Sequence, residues 1–213
     1  MRFRVGAWDD TSICVSPEMI KLAKRIKSFV TNRLTPDPRL QLLDRMPQRG
    51  RCAEVGVWKG EFSEMILKHT QPRTLFLVDP WTFQPEFAER MYGGSVAGDQ
   101  ESMDAIYEQV RQTLGQRAAV EIVRDYSDAA ADAIEDETLD FVYIDGNHFY
   151  EYVKQDLENY CAKVKPGGYL TGDDYQWGEE HGYPVRKAVT EFAETGPVEW
   201  VDRMEGQYIL RKT

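Results

Sequence analysis

The chain has 213 residues, a length that favours one domain with an added segment over two domains of equal size. Its 36 acidic residues outnumber its 26 basic residues and give a formal net charge of −10. Because nucleic-acid binding requires a basic face, we expect no nucleic-acid partner. Hydrophobic residues make up 42% of the chain, which excludes an intrinsically disordered protein.

The sequence carries no signal of a membrane or secreted protein. No apolar run approaches the roughly 20 residues that a membrane-spanning helix needs, and the polar start lacks a signal-peptide core. Cys14, Cys52 and Cys161 are odd in number and far apart, which favours buried, unpaired cysteines over disulfides or a zinc site. These features predict a cytoplasmic protein with no membrane partner.

Two amphipathic helices are predicted near the N-terminus. Ser16 is followed by proline and glutamate, a typical helix start, and apolar residues then recur at three- and four-residue steps over about 17 to 33. Four apolar residues predict a shorter helix over about 38 to 46. We therefore divide the chain into a helical N-terminal extension, 1–49, and a second region, 50–213.

The second region alternates short apolar runs with helical patterns. Strands are predicted at RCAEVG, RTLFLVDP, AVEIVRD, LDFVYIDG and GYLTGDD, with helices near 61–69, 101–114, 127–134, 150–164 and 184–194. This alternation indicates right-handed crossovers and a parallel sheet covered on both faces, which is a doubly wound, Rossmann-like α/β fold. The final segments PVEWVD and GQYILRK predict a closing antiparallel pair.

Acidic residues stand at the ends of successive predicted strands. In a doubly wound sheet the ligand binds at the carboxyl ends of the strands, so these acids are the first candidates for chemistry. They are Glu54, Asp79, Asp125, Asp145 and the pair Asp173 and Asp174.

The first strand ends in the loop Glu54-Val-Gly56-Val-Trp-Lys-Gly60, which opens a helix. Glycines let the backbone turn sharply and approach a ligand closely. Trp58 and Glu61 stand where a dinucleotide fingerprint requires glycines, so the loop favours a nucleoside-like ligand and disfavours a nicotinamide oxidoreductase. A tight structural turn explains the glycines about equally well.

Two further strand ends suit parts of a nucleoside. Asp79 is placed to accept hydrogen bonds from both hydroxyl groups of a ribose, although a helix cap is the alternative. Asp125, Tyr126 and Ser127 follow the third strand, where they could border an adenine. Helix capping explains Asp125 and Ser127 equally well.

Three carboxylates follow the fourth and fifth strands. If these strands are neighbours, their ends lie about 5 Å apart and bring Asp145, Asp173 and Asp174 together. Like charges raise one another's pKa unless a cation neutralises them, and oxygen ligands favour Mg²⁺ or Ca²⁺. A carboxylate pair that shares a proton and solvated helix caps are the alternatives. His148 follows three residues after Asp145 and could face the same cleft.

Four segments together resemble the class I S-adenosylmethionine-dependent methyltransferases. They are Glu54-x-Gly56-x-x-x-Gly60, Val-Asp79-Pro-Trp, Tyr-Ile-Asp145-Gly-Asn-His148 and Lys165-Pro-Gly-Gly-Tyr-Leu-Thr-Gly-Asp173-Asp174-Tyr. More narrowly, residues 50 to 213 resemble the macrocin- and sugar-type metal-dependent O-methyltransferases. The resemblance implies a seven-stranded sheet whose last strand is antiparallel.

The resemblance also implies roles for the strand-end residues. Those implied to contact the cofactor are Glu54, Gly56 and Gly60 at its methionine part, Asp79 at its ribose, Asp125, Tyr126 and Ser127 at its adenine, and Asp145. The residues matching the metal ligands of that group are Asp145, Asp173 and Asp174, which would bind Mg²⁺. The catalytic base would be Asp145 or His148.

The leading hypothesis is methyl transfer from S-adenosylmethionine to a hydroxyl group of a small molecule, of sugar or natural-product type. A divalent cation, expected to be Mg²⁺, would lower the pKa of that hydroxyl group. A metal-independent small-molecule methyltransferase and a noncatalytic cofactor-binding or assembly protein are the alternatives.

Two further features bear on the acceptor. The glycine-rich segment 92–98 suggests a gate over the site, and a plain surface loop explains it equally well. The aromatic residues Trp81, Tyr92, Tyr175 and Trp177 could line an acceptor pocket. A contact between two copies of the chain, in a homo-oligomer, explains these aromatic residues about as well.

Overall fold

A seven-stranded sheet forms the centre of the computed structural model, which describes residues 37–85 and 97–213. The strands are β1 Arg51–Val55, β2 Thr74–Val78, β3 Val120–Val123, β4 Leu139–Ile144, β5 Val164–Gly172, β6 Val198–Arg203 and β7 Tyr208–Lys212. They lie in the order β3-β2-β1-β4-β5-β7-β6, and β7 is antiparallel to both of its neighbours. The predicted Rossmann-like sheet with its antiparallel last strand is confirmed.

Helices cover both faces of this sheet. In the described residues they are α1 Pro38–Leu43, α2 Glu61–Thr70, α3 Gln100–Thr113, α4 Ser127–Ala131, α5 Tyr150–Lys163 and α6 Pro184–Thr195, with a 3-10 turn at Glu179–His181. One buried cluster lies under α1, α2 and α3, and a second lies under α4, α5 and α6. None of the helices in this part of the chain is both long and apolar enough to span a bilayer.

The central strand β4 shows why this sequence forms a two-layered core. All six of its residues are buried, because helices pack on both of its faces. Alternate residues therefore enter opposite clusters: Val142 enters one, and Phe141 and Tyr143 enter the other. Cys52 and Cys161 are buried and unpaired, as predicted.

The helix α1 belongs to the same core as the sheet. Leu42, Leu43 and Met46 are buried among the residues of the cluster under α2 and α3. The helix is shorter than the predicted span of 38 to 46, because the chain turns after Leu43 toward β1. The predicted helix over 17–33, Cys14 and most of the segment 92–98 lie outside the described residues.

The register of the parallel strands aligns their carboxyl ends. Ile144 of β4 pairs with Val55 of β1 on one side and with Gly172 of β5 on the other. The strands that precede Asp145 and the Asp173–Asp174 pair are therefore neighbours, which is the condition for these acids to meet. Backbone bonds continue past the strand ends: the Asp145 N–H donates to the Val55 carbonyl oxygen at 2.7 Å.

The close packing of β5 against β4 and β7 gives a direct test of the fold. A Cβ atom at Gly172 would lie 2.3 Å from the Ile144 carbonyl oxygen and 2.5 Å from the Tyr208 hydroxyl. We expect Gly172→Ala to lower the free energy of unfolding by about 1–3 kcal/mol in urea denaturation, because backbone must move. Gly98→Ala is the control, since its Cβ would meet no described atom within 4 Å. Equal losses in both variants would contradict this packing.

Candidate active site

A cavity of about 720 Å³ opens at the carboxyl ends of the parallel strands. Its volume falls within the range of about 300–1,000 Å³ that is usual for small-molecule sites. The sequence-predicted residues that line it are Glu54, Gly56, Asp79, Tyr126, Ser127, Asp145 and His148. Four other candidates are not among its lining residues, namely Gly60, Asp125, Asp173 and Asp174.

The Gly56 loop brings the ends of β1 and β4 together. Gly56 has a φ of 91°, and a Cβ atom there would lie 2.0 Å from the Asp145 carbonyl oxygen. No other residue fits both the backbone conformation and this approach. Gly60 has a structural role instead. It precedes α2 with a φ of 77° and packs against Leu114.

Asp79 holds the Gly56 loop in place. Its Oδ2 atom accepts hydrogen bonds from the backbone N–H groups of Val57 and Trp58, at 3.0 and 2.9 Å, and its Oδ1 atom accepts one from Trp81 at 2.7 Å. The ribose role of Asp79 stays a prediction, with the anchoring of the loop as an observed function beside it.

Glu54 lies buried in the wall of the cavity. The Ser63 hydroxyl donates to its carboxyl group, which is 1% exposed. Burial raises the pKa of Glu54 to about 8; the Ser63 hydrogen bond opposes this change, and the charges of Asp145 and Asp79 add to it. Glu54 therefore holds a proton at neutral pH, and a cation bound beside it would favour proton release.

Asp145, His148 and Asp174 come together where β4 and β5 end. The Nε2 atom of His148 lies 3.0 Å from Asp174 Oδ2 and 3.6 Å from Asp145 Oδ1. One potential ligand atom of each residue lies within 4.8 Å of the others. Asp174 reaches this position with a φ of 58°, an unfavourable conformation for a residue other than glycine and one that is often found at functional sites.

Each group in this trio changes the protonation of the others. Burial raises the pKa of Asp145, and it raises that of Asp174 to about 6 although the His148 charge opposes this. Burial disfavours the charged form of His148, but the hydrogen bond to Asp145 and the charge of Asp174 outweigh burial and raise its pKa. The imidazole is thus held between two carboxyl groups that stabilise a proton on it.

Asp173 is engaged elsewhere, which the sequence did not indicate. Its Oδ2 atom accepts hydrogen bonds from Arg39 Nε at 2.8 Å and from the Tyr143 hydroxyl at 3.2 Å. Its Oδ1 atom accepts from the Gln207 amide and from the backbone of Asp174. Of the three carboxylates expected to share one metal, the structure therefore brings Asp145 and Asp174 to His148, and pairs Asp173 with Arg39.

Arg39 and Asp156 are among the residues of the site that escaped the sequence analysis. Arg39 lines the cavity from α1, and no local signal connects it to an acid that lies 134 positions away. Asp156 also lines the cavity, and its side chain is buried on α5. Its position between Val153 and Leu157 was a usable signal, because a carboxylate on the apolar face of a helix requires an explanation.

The aromatic residues that were expected to line an acceptor pocket lie in two different places, the cavity and the core. Trp177 lines the cavity, and its ring centroid lies 5.1 Å from that of His148. Trp81 and Tyr175 are instead buried in the core, where the Trp81 indole donates to the Trp58 carbonyl oxygen. The candidate acceptor wall contains Trp177 together with Phe149 and Tyr152, while Tyr92 lies outside the described residues.

Comparisons with known proteins identify the family of the chain and the proteins that share its fold. The chain matches the family described as a methyltransferase domain over residues 53–175, which is more than half of its length. It also shares 38% identity over 68 residues with the uncharacterized protein y4gI of Sinorhizobium fredii. That match covers 32% of this chain and only 7% of the relative.

Several solved structures share the fold. The O-methyltransferase NovP superposes with a TM-score of 0.57 at 22% identity, covering 82% of this chain and 79% of NovP. The N-methyltransferase NodS from Bradyrhizobium japonicum gives 0.55 at 14% identity, covering 82% and 94%. A putative S-adenosylmethionine-dependent methyltransferase from Methanococcus maripaludis gives 0.56 at 14% identity, covering 97% of both chains. At these identities the likeness establishes the fold and leaves the acceptor open.

The buried carboxyl group of Asp156 predicts a pH-dependent stability. Burial raises its pKa from 3.8 to about 7, with the Ser127 hydrogen bond opposing and Asp128 adding to this change. The folded state thus keeps a proton that the unfolded state releases, so this group lowers stability progressively as pH rises from about 4 to about 7. The loss amounts to at most about 4 kcal/mol, at roughly 1.4 kcal/mol per pKa unit.

We expect Asp156→Asn, which cannot ionise, to gain thermal stability relative to the unsubstituted chain as pH rises from 4.5 to 8. Thermal melting followed by circular dichroism at several pH values measures this difference. The exposed residue Asp132 on the neighbouring α4 cap supplies the control Asp132→Asn, whose difference should not change with pH. The same pH trend in both variants would rule out the burial effect.

Proposed function

The chain belongs to the methyltransferase-domain family of S-adenosylmethionine-dependent enzymes, and from that premise we propose that it methylates a hydroxyl group of a small molecule with the help of a divalent cation. One observation carries this proposal. A cavity lined by the Gly56 loop also contains the Asp145–His148 pair, and Asp174 Oδ2 lies 3.0 Å from the Nε2 atom of the imidazole. A cofactor-sized site and a candidate base therefore share one space.

The cofactor is proposed to lie over Gly56. Since Gly56 has no side chain, the methionine part can approach the backbone, and the buried Glu54 beside it would attract the cationic end of the cofactor. Asp79 would accept from the ribose, while Tyr126 and Ser127, at the start of α4, would border the adenine. Asp145 would then face the transferred methyl group from the end of β4.

The chemical step needs a base near the acceptor. The hydroxyl oxygen attacks the methyl carbon in line with the carbon–sulfur bond, whose electron pair returns to sulfur. The hydroxyl proton passes to a carboxylate oxygen of Asp145 or, in the metal-independent form, to His148 Nε2. An unactivated hydroxyl group is a weak nucleophile at neutral pH, which makes this proton transfer important. Confinement of both reactants in one cavity supplies much of the remaining rate gain.

Asp145, His148 and Asp174 are the residues that would hold a divalent cation. Their potential ligand atoms lie within 4.8 Å of one another, and two carboxylate oxygens suit Mg²⁺ or Mn²⁺. The imidazole extends the preference toward Mn²⁺, because nitrogen ligands suit transition metals better than Mg²⁺. When bound, the ion would lower the pKa of the acceptor hydroxyl group and orient it. Mg²⁺ itself stays a prediction.

Cofactor binding should depend on pH through Glu54. Its carboxyl group has a pKa of about 8 in the free protein, and a neighbouring cofactor cation favours the ionised form, so binding releases a proton. We expect S-adenosylmethionine affinity to rise by up to about tenfold per pH unit between pH 6 and pH 8 in isothermal titration calorimetry.

Two variants test this assignment. Glu54→Gln should bind the cofactor more weakly at pH 8 and lose the pH-dependent rise. Ser63→Ala should shift the rise to higher pH, because the Ser63 hydroxyl stabilises the ionised carboxylate. A slope that survives unchanged in Glu54→Gln would show that another group binds the cation.

Catalysis should fail selectively without His148. We expect His148→Gln to lower kcat by about 100-fold or more on a hydroxyl acceptor while cofactor affinity stays within a few-fold, because the imidazole acts on the acceptor. The assay measures the S-adenosylhomocysteine that forms from the cofactor in the presence of each member of a panel of sugar and phenolic acceptors. His181→Gln is the control, since His181 is also near Trp177 but does not line the cavity.

A chelator separates the two forms of the proposal. Activity that disappears with EDTA and returns with Mn²⁺ or Mg²⁺ would support the metal-assisted reaction. Activity that survives the chelator would contradict the metal and leave His148 as the base of a metal-independent methyltransferase. Tight cofactor binding without turnover on any acceptor would contradict catalysis altogether.

A further inference from the structure

Arg39 is a cation placed between Asp145 of the proposed metal site and the neighbouring Asp173. Its Nε atom donates to Asp173 Oδ2 at 2.8 Å, and a second guanidinium nitrogen donates to the same oxygen. That second nitrogen also lies 3.7 Å from Asp145 Oδ2. One side chain thus pairs with acids at the ends of both β4 and β5.

The surrounding structure fixes this arginine. Leu42 and Leu43 anchor α1 in the core against α2, so the backbone of Arg39 is held by packing. The guanidinium carbon lies 5.5 Å from the centre of the buried Phe62 ring, within the range of a cation–π contact. A planar guanidinium is better suited than an ammonium to such a combination of ring and carboxylate contacts.

The Arg39 guanidinium keeps Asp173 in an ion pair, whereas loss of the guanidinium would leave the Asp173 charge available to a divalent ion. Held by Arg39, its carboxylate leaves Asp145, His148 and Asp174 as the group that can bind an ion. Without the guanidinium, the negative charge of Asp173 would add to the attraction for a divalent cation at the same strand ends. A fixed positive charge 3.7 Å from Asp145 also repels a cation bound by that residue.

We propose that Arg39 is a positioning residue that acts as the built-in cation of this acidic site: it retains Asp173 in its own ion pair and weakens divalent-cation binding at Asp145, His148 and Asp174. The inference rests on the divalent-cation site of the proposed function. It explains how these strand-end carboxylates can lie close together without an ion, because Arg39 and His148 offset part of their charge.

Manganese binding tests this role without requiring turnover. We expect Arg39→Gln to bind Mn²⁺ at least about tenfold more tightly than the unsubstituted chain in titrations followed by electron paramagnetic resonance. Its melting temperature without metal should fall, because Asp173 loses its cation, and Mn²⁺ should restore it. Arg39→Lys should lie between the two, since it keeps the charge but loses the planar two-nitrogen contact.

Arg45→Gln is the matched control. Arg45 follows α1 closely and forms a partly exposed ion pair with Asp202, and neither residue is among those that line the cavity. Its removal should leave Mn²⁺ affinity unchanged, and its effect on stability should be small. A gain in Mn²⁺ affinity equal to that of Arg39→Gln would overturn the proposal, because a general loss of positive charge would then explain both.

The remaining outcomes are also decisive. Equal or weaker Mn²⁺ binding by Arg39→Gln, or no binding by either protein, would overturn the proposed competition. Binding that is seen only after Arg39 is replaced would support the role of Arg39 and at the same time contradict the metal in the proposed function. Equal Mn²⁺ binding by both proteins would thus contradict only the role of Arg39, whereas no binding by either would contradict both proposals.

Discussion

The contact between the Gly56 loop and the end of β4 is the constraint on which the site depends. The backbone of Asp145 bonds to β1, and its carbonyl oxygen leaves room only for a glycine at position 56. The residue that opens the cofactor loop and the residue that begins the chemical centre are thus joined through main-chain atoms. Because both strands are buried on both faces, this geometry is set by the core rather than by the ligand.

Concentrated negative charge is the second constraint. At almost every strand end, a different kind of partner stabilises the acidic side chain. Backbone N–H groups donate to Asp79, burial raises the pKa of Glu54 and so favours its neutral form, and a guanidinium pairs with Asp173. His148 lies between Asp145 and Asp174. A cationic cofactor, a divalent ion and a proton can all be attracted to the carboxylates, so the binding of each should influence the others.

The sequence was sufficient for the sheet and for the edge at which the cavity opens, because apolar runs mark buried strands and ligands bind at strand ends. It could not reveal that Asp173 pairs with Arg39, since α1 meets β5 only through tertiary packing. Periodicity also cannot distinguish Asp174 from Asp173. Asp174 reaches His148 with a left-handed backbone, which the sequence pattern does not indicate. Trp81 was misjudged for a related reason: an aromatic residue after a strand can enter the core as readily as a cavity.

The central claim is that cofactor and base meet across the contact between Gly56 and Asp145. A crystal structure of the chain with S-adenosylhomocysteine tests it most directly. We expect the cofactor to lie over Gly56, with its ribose at Asp79 and its sulfur turned toward Asp145 and His148. A cofactor bound outside this cavity, or one whose sulfur is directed away from both residues, would contradict the account.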